Sequence, residues 1–413
     1  MFSEQIELRG HIIDSLLLPK VLDEILTRGG NFTIREIQVG KQRDDASYAC
    51  IEVYGPSPEV VDDIVRHVRQ QGAEVVEQES VRLVEAPADG VFPPDFYVTT
   101  NQKTFVHYRG QWLEVRPVTM DCAIAVDEQR LQAEAVKFAQ VQKGRLIAVG
   151  HHGIRVAPRE RSSERRSVFE FMGSSVSSEK PKSAIVREVA AEMRRTRESG
   201  GRILVVAGPA IVHTGAGEHF EKLIAQGYVN RLFAGNALAV HDIENALFGT
   251  SLGVYLERGS LAEKGHENHM RAINAIRGAG GIAAAVAGGI LRRGIFYQCV
   301  KHDVDFVLAG SIRDDGPLPE VITDTLAAQR LMRARLEGVT MALMMCTMLH
   351  SIAVGNLLPA HVKTICVDIN PAVVTKLSDR GTFQAVGLVT DIEPFLRELT
   401  EFLAAGESPA GPV

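Results

Sequence analysis

"FVLAGSIRDDGPLPEVITDT", residues 306–325, starts as a buried strand and changes character within five residues. Phe306, Val307, Leu308 and Ala309 are apolar, and Gly310 ends the run. Arg313, Asp314 and Asp315 follow, then Gly-Pro-Leu-Pro and a helical pattern whose start Pro317 and Pro319 are expected to supply. A strand without polar alternation is covered on both faces, as in parallel sheets flanked by helices. In such sheets ligands bind just beyond the carboxyl ends of the strands. An arginine and two aspartates at that point therefore mark a working edge.

The same rhythm fills the chain from about residue 183. "RILVVAG" (202–208), "VNRLFAG" (229–235), "TMALMMCTM" (340–348), "VKTICVDI" (362–369) and "QAVGLVTD" (384–391) read as apolar strands. Helical segments separate them, including 184–201, 217–227, 237–249 and 269–281, with a further one from Ile282 to Leu291. This predicts an α/β domain built on a parallel sheet. The strand ends carry "AGPAIVHTGAGEH", "AGNALAVHD", "AGSIRDDG", "CTMLHS", "VDINP" and "VTDIEP". Glycine there admits a close ligand, and the helix that follows offers free N–H groups to a phosphate.

The N-terminal hundred residues have another pattern. "QIELRGHII" reads as a strand, and "LPKVLDEILTRG" as a helix with Leu18, Leu22 and Ile25 on one face. "FTIREIQV" and "SYACIEVYG" are strands. "SPEVVDDIVRHVRQQG" is a helix with Ser57 as N-cap and Pro58 at its first position, and "AEVV" closes the unit. This βαββαβ order is ferredoxin-like. In the next region, "TFVHYRGQWLEVRPV" predicts a hairpin turning at Arg109-Gly110, and "RLIAVGHHGIRVAP" a second one turning near Gly153. His151 and His152 are expected in solvent on that second turn. The predicted organisation is a ferredoxin-like region over 1–100, a β-rich subdomain with a charged, Ser-rich loop over 101–182, a nucleotide-binding α/β domain over 183–405 and a disordered tail over 406–413.

Composition limits the function classes. The 413 residues are 45% hydrophobic and 23% charged, with a formal charge of −6. That balance favours neither nucleic acid nor an anionic membrane as partner. No apolar run reaches the length of a membrane span. Cys50, Cys122, Cys299, Cys346 and Cys366 form no Cys-x-x-Cys pair and read as reduced core thiols in a cytoplasmic protein.

Several constellations point to chemistry. "HTGAGEHF" gives Gly215-x-Gly217 with Phe220 in place of a third glycine, either a partial nucleotide fingerprint or an ordinary strand-to-helix turn. Asp368 follows an apolar strand, where a carboxylate accepts hydrogen bonds from ribose hydroxyls and repels a 2′-phosphate, favouring NAD over NADP. The alternative is that Asp368 caps the helix near Pro371. Asp391 repeats the placement. "EKGHENHMR" concentrates Lys264, His266, Glu267, His269 and Arg271. Its histidines are three apart and lack a third ligand at a set spacing, so no metal is predicted. A histidine for proton transfer with a cation for a carboxylate is one reading, and a solvated helix start the other. Cys346 and His350, four apart, read as a backbone surface for a cofactor in preference to a thiolate–imidazole pair.

"LFAGNALAVHDIENALFGTSLG", "GHENHMRAINAIR", "VLAGSIRDDGPLPEVITDT", "TMLHSIAVGNLLP" and "CVDINPAVVTKLSDRG" resemble the archaeal-type ornithine cyclodeaminases. They also resemble the C-terminal module of cyanobacterial bifunctional arginine dihydrolase/ornithine cyclodeaminases. The family carries the label LOR/SDH conserved region, and the resemblance extends to the N-terminal "FSEQIELRGHIIDSLLLPKVLDEI". It implies a Rossmann-like nucleotide domain similar to that of deoxyhypusine synthase, and no arginine dihydrolase activity. It implies conversion of L-ornithine to L-proline and ammonia, with a hydride lent to NAD and returned to a cyclic imine. Carried over by motif, the cofactor residues are Asn236, Ala237, Asp314, Thr347, Met348, Leu349, His350, Asp368, Asp391 and Ile392.

A zwitterionic diamino acid needs a cation for its carboxylate, for which Arg271 and Arg313 are candidates, and groups that cycle protons, for which Asp315, Asp314, His269 and Lys264 are candidates. A homo-oligomer, dimer or tetramer, is expected. Two other readings stay open: an NAD-dependent amino-acid dehydrogenase of saccharopine or lysine type, and a non-enzymatic NAD or amino-acid sensor.

Overall fold

The computed structural model describes residues 2–10, 12–13, 16–40, 45–75, 80–157, 182–256, 267–314, 316–379 and 385–405. The chain divides into two compact units: residues 1–166 with 356–361, and residues 167–355 with 362–413.

The first unit opens with β1 (Phe2–Gly10), a helix (Leu17–Thr27), β2 (Asn31–Gln38), β3 (Ser47–Gly55), a helix (Pro58–Gln70) and β4 (Glu74–Val75). The sheet order is β2-β3-β1-β4 and every pairing is antiparallel. This is the ferredoxin-like topology its element order predicts. Ile6 and Leu8 of β1, with Ala49, Ile51 and Val53 of β3, are fully buried on one face. The first helix buries Leu18, Val21 and Ile25, so Val21 takes the place expected for Leu22, which lies half-buried at the margin.

Beyond it, β5 (Arg82–Glu85), β6 (Lys103–Tyr108), β7 (Gln111–Glu114), β8 (Ala123–Asp127), β9 (Gln132–Val136), β10 (Leu146–Val149) and β11 (Ile154–Ala157) form two sheets. Their orders are β5-β10-β8-β9 and β11-β6-β7. The β6–β7 hairpin turns at Arg109 and Gly110, with φ of 50° and 79°, the positive pair a primed two-residue turn requires. The second expected hairpin does not form. β10 pairs with β5 and β8, whereas β11 pairs with β6, so the Gly150–Gly153 segment carries the chain from one sheet to the other. His151 is also not in solvent. It lies half-buried, edge-on to Tyr97 at 5.4 Å, and burial first, then Arg66 and Arg69, push its pKa down to about 4. His152 is exposed. Residues Asn356–His361 belong to this unit, where the Ala360 amide donates to the Asn101 carbonyl at 2.9 Å.

The second unit holds β12 (Arg202–Ala207), β13 (Arg231–Gly235), a small hairpin of β14 (Thr250–Ser251) and β15 (Val254–Tyr255), then β16 (Asp305–Ala309), β17 (Val321–Ile322), β18 (Val339–Met345), β19 (Lys363–Asp368) and β20 (Ala385–Val389). Apart from the hairpin, these form one seven-stranded sheet in the order β17-β16-β13-β12-β18-β19-β20. All its pairings are parallel. Leu204, Val205, Leu343, Met344 and Val367 are fully buried, which is why these strands carry no polar alternation. The helix expected at Pro319 begins later. Val321–Ile322 adds a strand beside β16, and Asp324 then caps the helix Thr325–Ala334 by accepting from the Leu326 and Ala327 amides. The Ile282–Leu291 segment is helical only over Ile282–Ala287.

Candidate functional site

The chain leaves β12 towards β13 on one side, and leaves β18 towards β19 on the other. The carboxyl ends of β12 and β18 therefore form the topological switch point of the sheet. Two backbones meet there almost without side chains. A Cβ on Gly208 would lie 1.9 Å from the Cys346 carbonyl oxygen, and the Gly208 amide donates to the Met345 carbonyl at 2.9 Å. Cys346 itself adopts a φ of 55°. Along the rim, a Cβ on Gly235 would lie 2.9 Å from Cε1 of His350. Gly208 and Gly235, not the Gly215–Gly217 pair, are the close-approach glycines. Nothing lies within 4 Å of a Cβ built on either Gly215 or Gly217, and Phe220 is fully buried core. Ala-Gly at three strand ends (207–208, 234–235 and 309–310) was the available signal.

Around this point the structure gathers one group of the expected residues. Asn236 begins the helix Asn236–Phe248, is buried, and accepts at Oδ1 from the Leu318 amide at 3.1 Å. It thereby ties the Gly-Pro-Leu-Pro loop to the end of β13. Ala237, next along, is exposed. Asp314 accepts from the Ser311 amide at 2.8 Å, and Ser311 Oγ accepts from the Arg313 amide at 3.0 Å. This closed turn leaves the Arg313 side chain exposed. His350 sits half-buried with Nδ1 3.1 Å from Thr347 Oγ1. Burial lowers its pKa against the pull of Asp314. Cys346 is no partner for it: burial first, then the charges of Asp368 and Asp391, push the thiol up to about 12. Met348 is half-buried, while Leu349 is 73% exposed on the rim.

A second group lines the ends of β19 and β20. Asp368 is buried and accepts from the Asn370 amide at 2.8 Å. Asn370, in turn, accepts from the Ala372 amide at 3.0 Å, so the helix Pro371–Asp379 has Asn370 and not Asp368 as its cap. Asp391 is exposed and accepts from the Glu393 amide at 3.2 Å at the start of the helix Ile392–Ala405, in which Ile392 is buried.

His269 and Arg271 lie on the helix Asn268–Ala279, and Arg271 pairs with Glu267 on the exposed side. Lys264 and Asp315 lie outside the described residues, as does His266. Among the described residues no helix is long and apolar enough to cross a membrane.

A parallel sheet with glycines at its switch point and acids at the neighbouring strand ends defines the class of α/β folds that take a nucleotide at the carboxyl rim. Sequence comparison narrows the class. Residues 187–399 match the family "Arginine dihydrolase ArgZ-like, C-terminal, Rossmann fold", residues 103–186 its "first region", and residues 3–102 the "LOR/SDH bifunctional enzyme conserved region". The chain is 55% identical over 408 residues to an ornithine cyclodeaminase of Methanocaldococcus jannaschii, covering 98% of this chain and 96% of that one. It is 45% identical to AgrE of Nostoc sp., a bifunctional arginine dihydrolase/ornithine cyclodeaminase, covering 98% of this chain and 59% of that one. The crystal structure of the AgrE ternary complex with ornithine and NAD+ superposes with a TM-score of 0.53, over 98% of this chain and 57% of that one. A LOR/SDH protein from Methanococcus maripaludis S2 superposes with a TM-score of 0.75 at 49% identity, covering 80% of this chain and all of that one. The chain belongs to the archaeal-type ornithine cyclodeaminase family.

Proposed function

We propose that this protein is an NAD-dependent ornithine cyclodeaminase, converting L-ornithine to L-proline and ammonia. The observation that carries the reading is the backbone packing at the switch point, where Gly208 and Gly235 let the Cys346 carbonyl and the His350 ring close on the strand ends at distances no side chain would permit. The rim fits a dinucleotide. Asp368, buried at the end of β19, is assigned to a ribose hydroxyl, and the Asn236 helix start and the Ser311–Asp314 turn, which follow the ends of β13 and β16, support the same rim. When bound, NAD supplies the hydride acceptor and donor that make the redox chemistry internal.

The chain's own residues have the remaining tasks. His350 is kept neutral by burial, so it contacts its ligand without adding charge. Asn236 holds the 316–320 loop against the rim. Arg313 and Arg271 are the cations available to the substrate carboxylate, with Asp315, Asp314, His269 and Lys264 as candidates for proton transfer. We further assign Ala237, Thr347, Met348, Leu349, Asp391 and Ile392 to the cofactor surface. The proposal includes a cytoplasmic homo-oligomer divided at 1–100, 101–182 and 183–405.

The test is direct. Purified protein is incubated with L-ornithine and catalytic NAD+, and proline, ammonia and NADH are measured. Equal proline and ammonia without net NADH support the reading. Stoichiometric NADH would make the protein a dehydrogenase, and nucleotide binding without product from any basic amino acid would make it a sensor. Unchanged turnover in Asp315→Asn would remove Asp315 from the proton-transfer candidates.

A further inference from the structure

One buried polar cluster of the second unit has no part in the cofactor cradle. His241 lies on the helix Asn236–Phe248, one turn beyond Ala237 and on the same face, by the i to i+4 spacing. Its Nδ1 is 3.0 Å from Oε2 of Glu244, whose side chain is fully buried. Oε1 of Glu244 accepts from Thr250 Oγ1 at 2.9 Å and from the Gly253 amide at 3.2 Å, and Asn268 Nδ2 donates to Thr250 Oγ1 at 3.0 Å. Burial opposes ionisation of Glu244, but the bonds from His241, Gly253 and Thr250 outweigh it and hold the carboxyl below its usual range.

An ionised carboxylate only accepts hydrogen bonds, so His241 Nδ1 carries the hydrogen. In the neutral form of the imidazole, Nε2 then bears the lone pair. Among the described residues Nε2 has no hydrogen-bond partner, and the side chain keeps 14% exposure. His213, just past the Gly208 turn, lies against it with ring centroids 4.7 Å apart and its own Nδ1 2.7 Å from Ser251 Oγ. Burial first, then His241, push the His213 pKa down to about 4, so it adds no charge near neutrality. The titratable groups brought against His241 are thus Glu244 and His213. The hairpin contributes Thr250 and Ser251, and the helix Asn268–Ala279 contributes Asn268, with His269 next in sequence.

A carboxylate that fixes the tautomer of an imidazole and leaves its far nitrogen open is the arrangement of general bases. A purely structural network would be expected to engage both ring nitrogens. We propose that His241, oriented by Glu244, is the proton acceptor for an ammonium group of the diamino-acid substrate. The proton passes from the substrate nitrogen to Nε2. The amine keeps its electron pair, and Glu244 offsets the charge of the imidazolium. The same proton is available for the nitrogen that departs. This rests on the cyclodeaminase reading above; His241 touches substrate, and Glu244 is a positioning residue.

The test uses the full chain. His241→Asn is expected to lower kcat/KM for L-ornithine by about 10²-fold or more while leaving the NAD Kd within about twofold. In Glu244→Gln, which keeps the side-chain volume, the acid limb of the kcat/KM–pH profile should move to lower pH, because the imidazolium loses its carboxylate. Added imidazole should partly restore a His241→Gly variant. An unmoved limb in Glu244→Gln, or His241→Asn activity within about threefold of wild type, overturns the proposal. The nitrogen NMR signal of His241 Nε2 in the wild type, titrated with L-ornithine, decides the matter where a variant fails to fold or where wild type makes no proline. The second result ends the cyclodeaminase reading by itself. An Nε2 signal that does not respond ends the assignment of His241.

Discussion

The imidazole of His350 stands where a side chain on Gly235 would be: Cε1 lies 2.9 Å and Nε2 3.3 Å from the position of its Cβ. The backbone at Gly235 is extended, with φ −96° and ψ 169°, so conformation does not demand glycine there. The ring does. Thr347 holds the other side of His350, so the ring cannot simply swing away. Gly235→Ala is therefore expected to displace His350 and to weaken NAD binding about tenfold, with about 1–2 kcal/mol lost from stability. Titration calorimetry with NAD+ and thermal melting read the two effects. An unchanged Kd would separate His350 from the cofactor surface.

Asp368 should set nucleotide preference. Its carboxyl is buried at the end of β19 and already bent towards the chain by the Asn370 amide, so it needs no reorganisation to meet a ribose. Wild-type protein is expected to prefer NAD over NADP, since a buried carboxylate repels a 2′-phosphate. Asp368→Ala should weaken NAD by about 1–3 kcal/mol and narrow the gap to NADP. Equal affinity of the wild type for both nucleotides would contradict the assignment.

Cys346 should be dispensable as a nucleophile. Its thiol is pushed up to about 12, while Thr347 and not Cys346 bonds to His350. Cys346→Ser is expected to retain turnover within about threefold. The wild-type thiol should react slowly with iodoacetamide at neutral pH, because little thiolate is present. Rapid alkylation with matching loss of activity would restore the thiolate–imidazole reading.

Much of this site was legible in the sequence because one periodicity governs it. Unbroken apolar runs followed by small residues and acids identify strand ends in a parallel sheet, which places Asn236, Asp314, His350, Asp368 and Asp391 on one rim. Close approach between elements was not legible. That Gly208 meets Cys346 and Gly235 meets His350 depends on a strand order in which β12 neighbours β18, far away in sequence. The β10–β11 error has the same origin: two strands joined by a glycine turn look like a hairpin until their partners in other sheets are known. Capping by Asn370 instead of Asp368 turned on a two-residue offset, within the usual imprecision of helix boundaries. Glu244 gave no signal, since an acid within a helix reads as solvated until the fold buries it.

Acid should destabilise the protein partly through His213. Its imidazole has a pKa near 6.5 when unfolded and about 4 when folded. Between those values the unfolded chain takes up a proton that the folded chain refuses, so the contribution is fully present above 6.5 and is lost as pH falls towards 4. The folded-state values of His151 have the same sign, at about 4. Asp242 works in the other direction. Burial raises it to about 7, so its folded form holds a proton that the unfolded carboxylate has released. The wild-type curve is thus a difference of opposing terms, and a variant is needed to isolate one. His213→Asn can still reach Ser251 but no longer titrates. It should flatten the fall in stability between pH 7 and pH 5 by about 1 kcal/mol, with urea midpoints at both pH values as the measurement. A variant curve parallel to wild type would show that His213 has a similar pKa folded and unfolded, and hence that its environment is wetter than its burial against His241 implies.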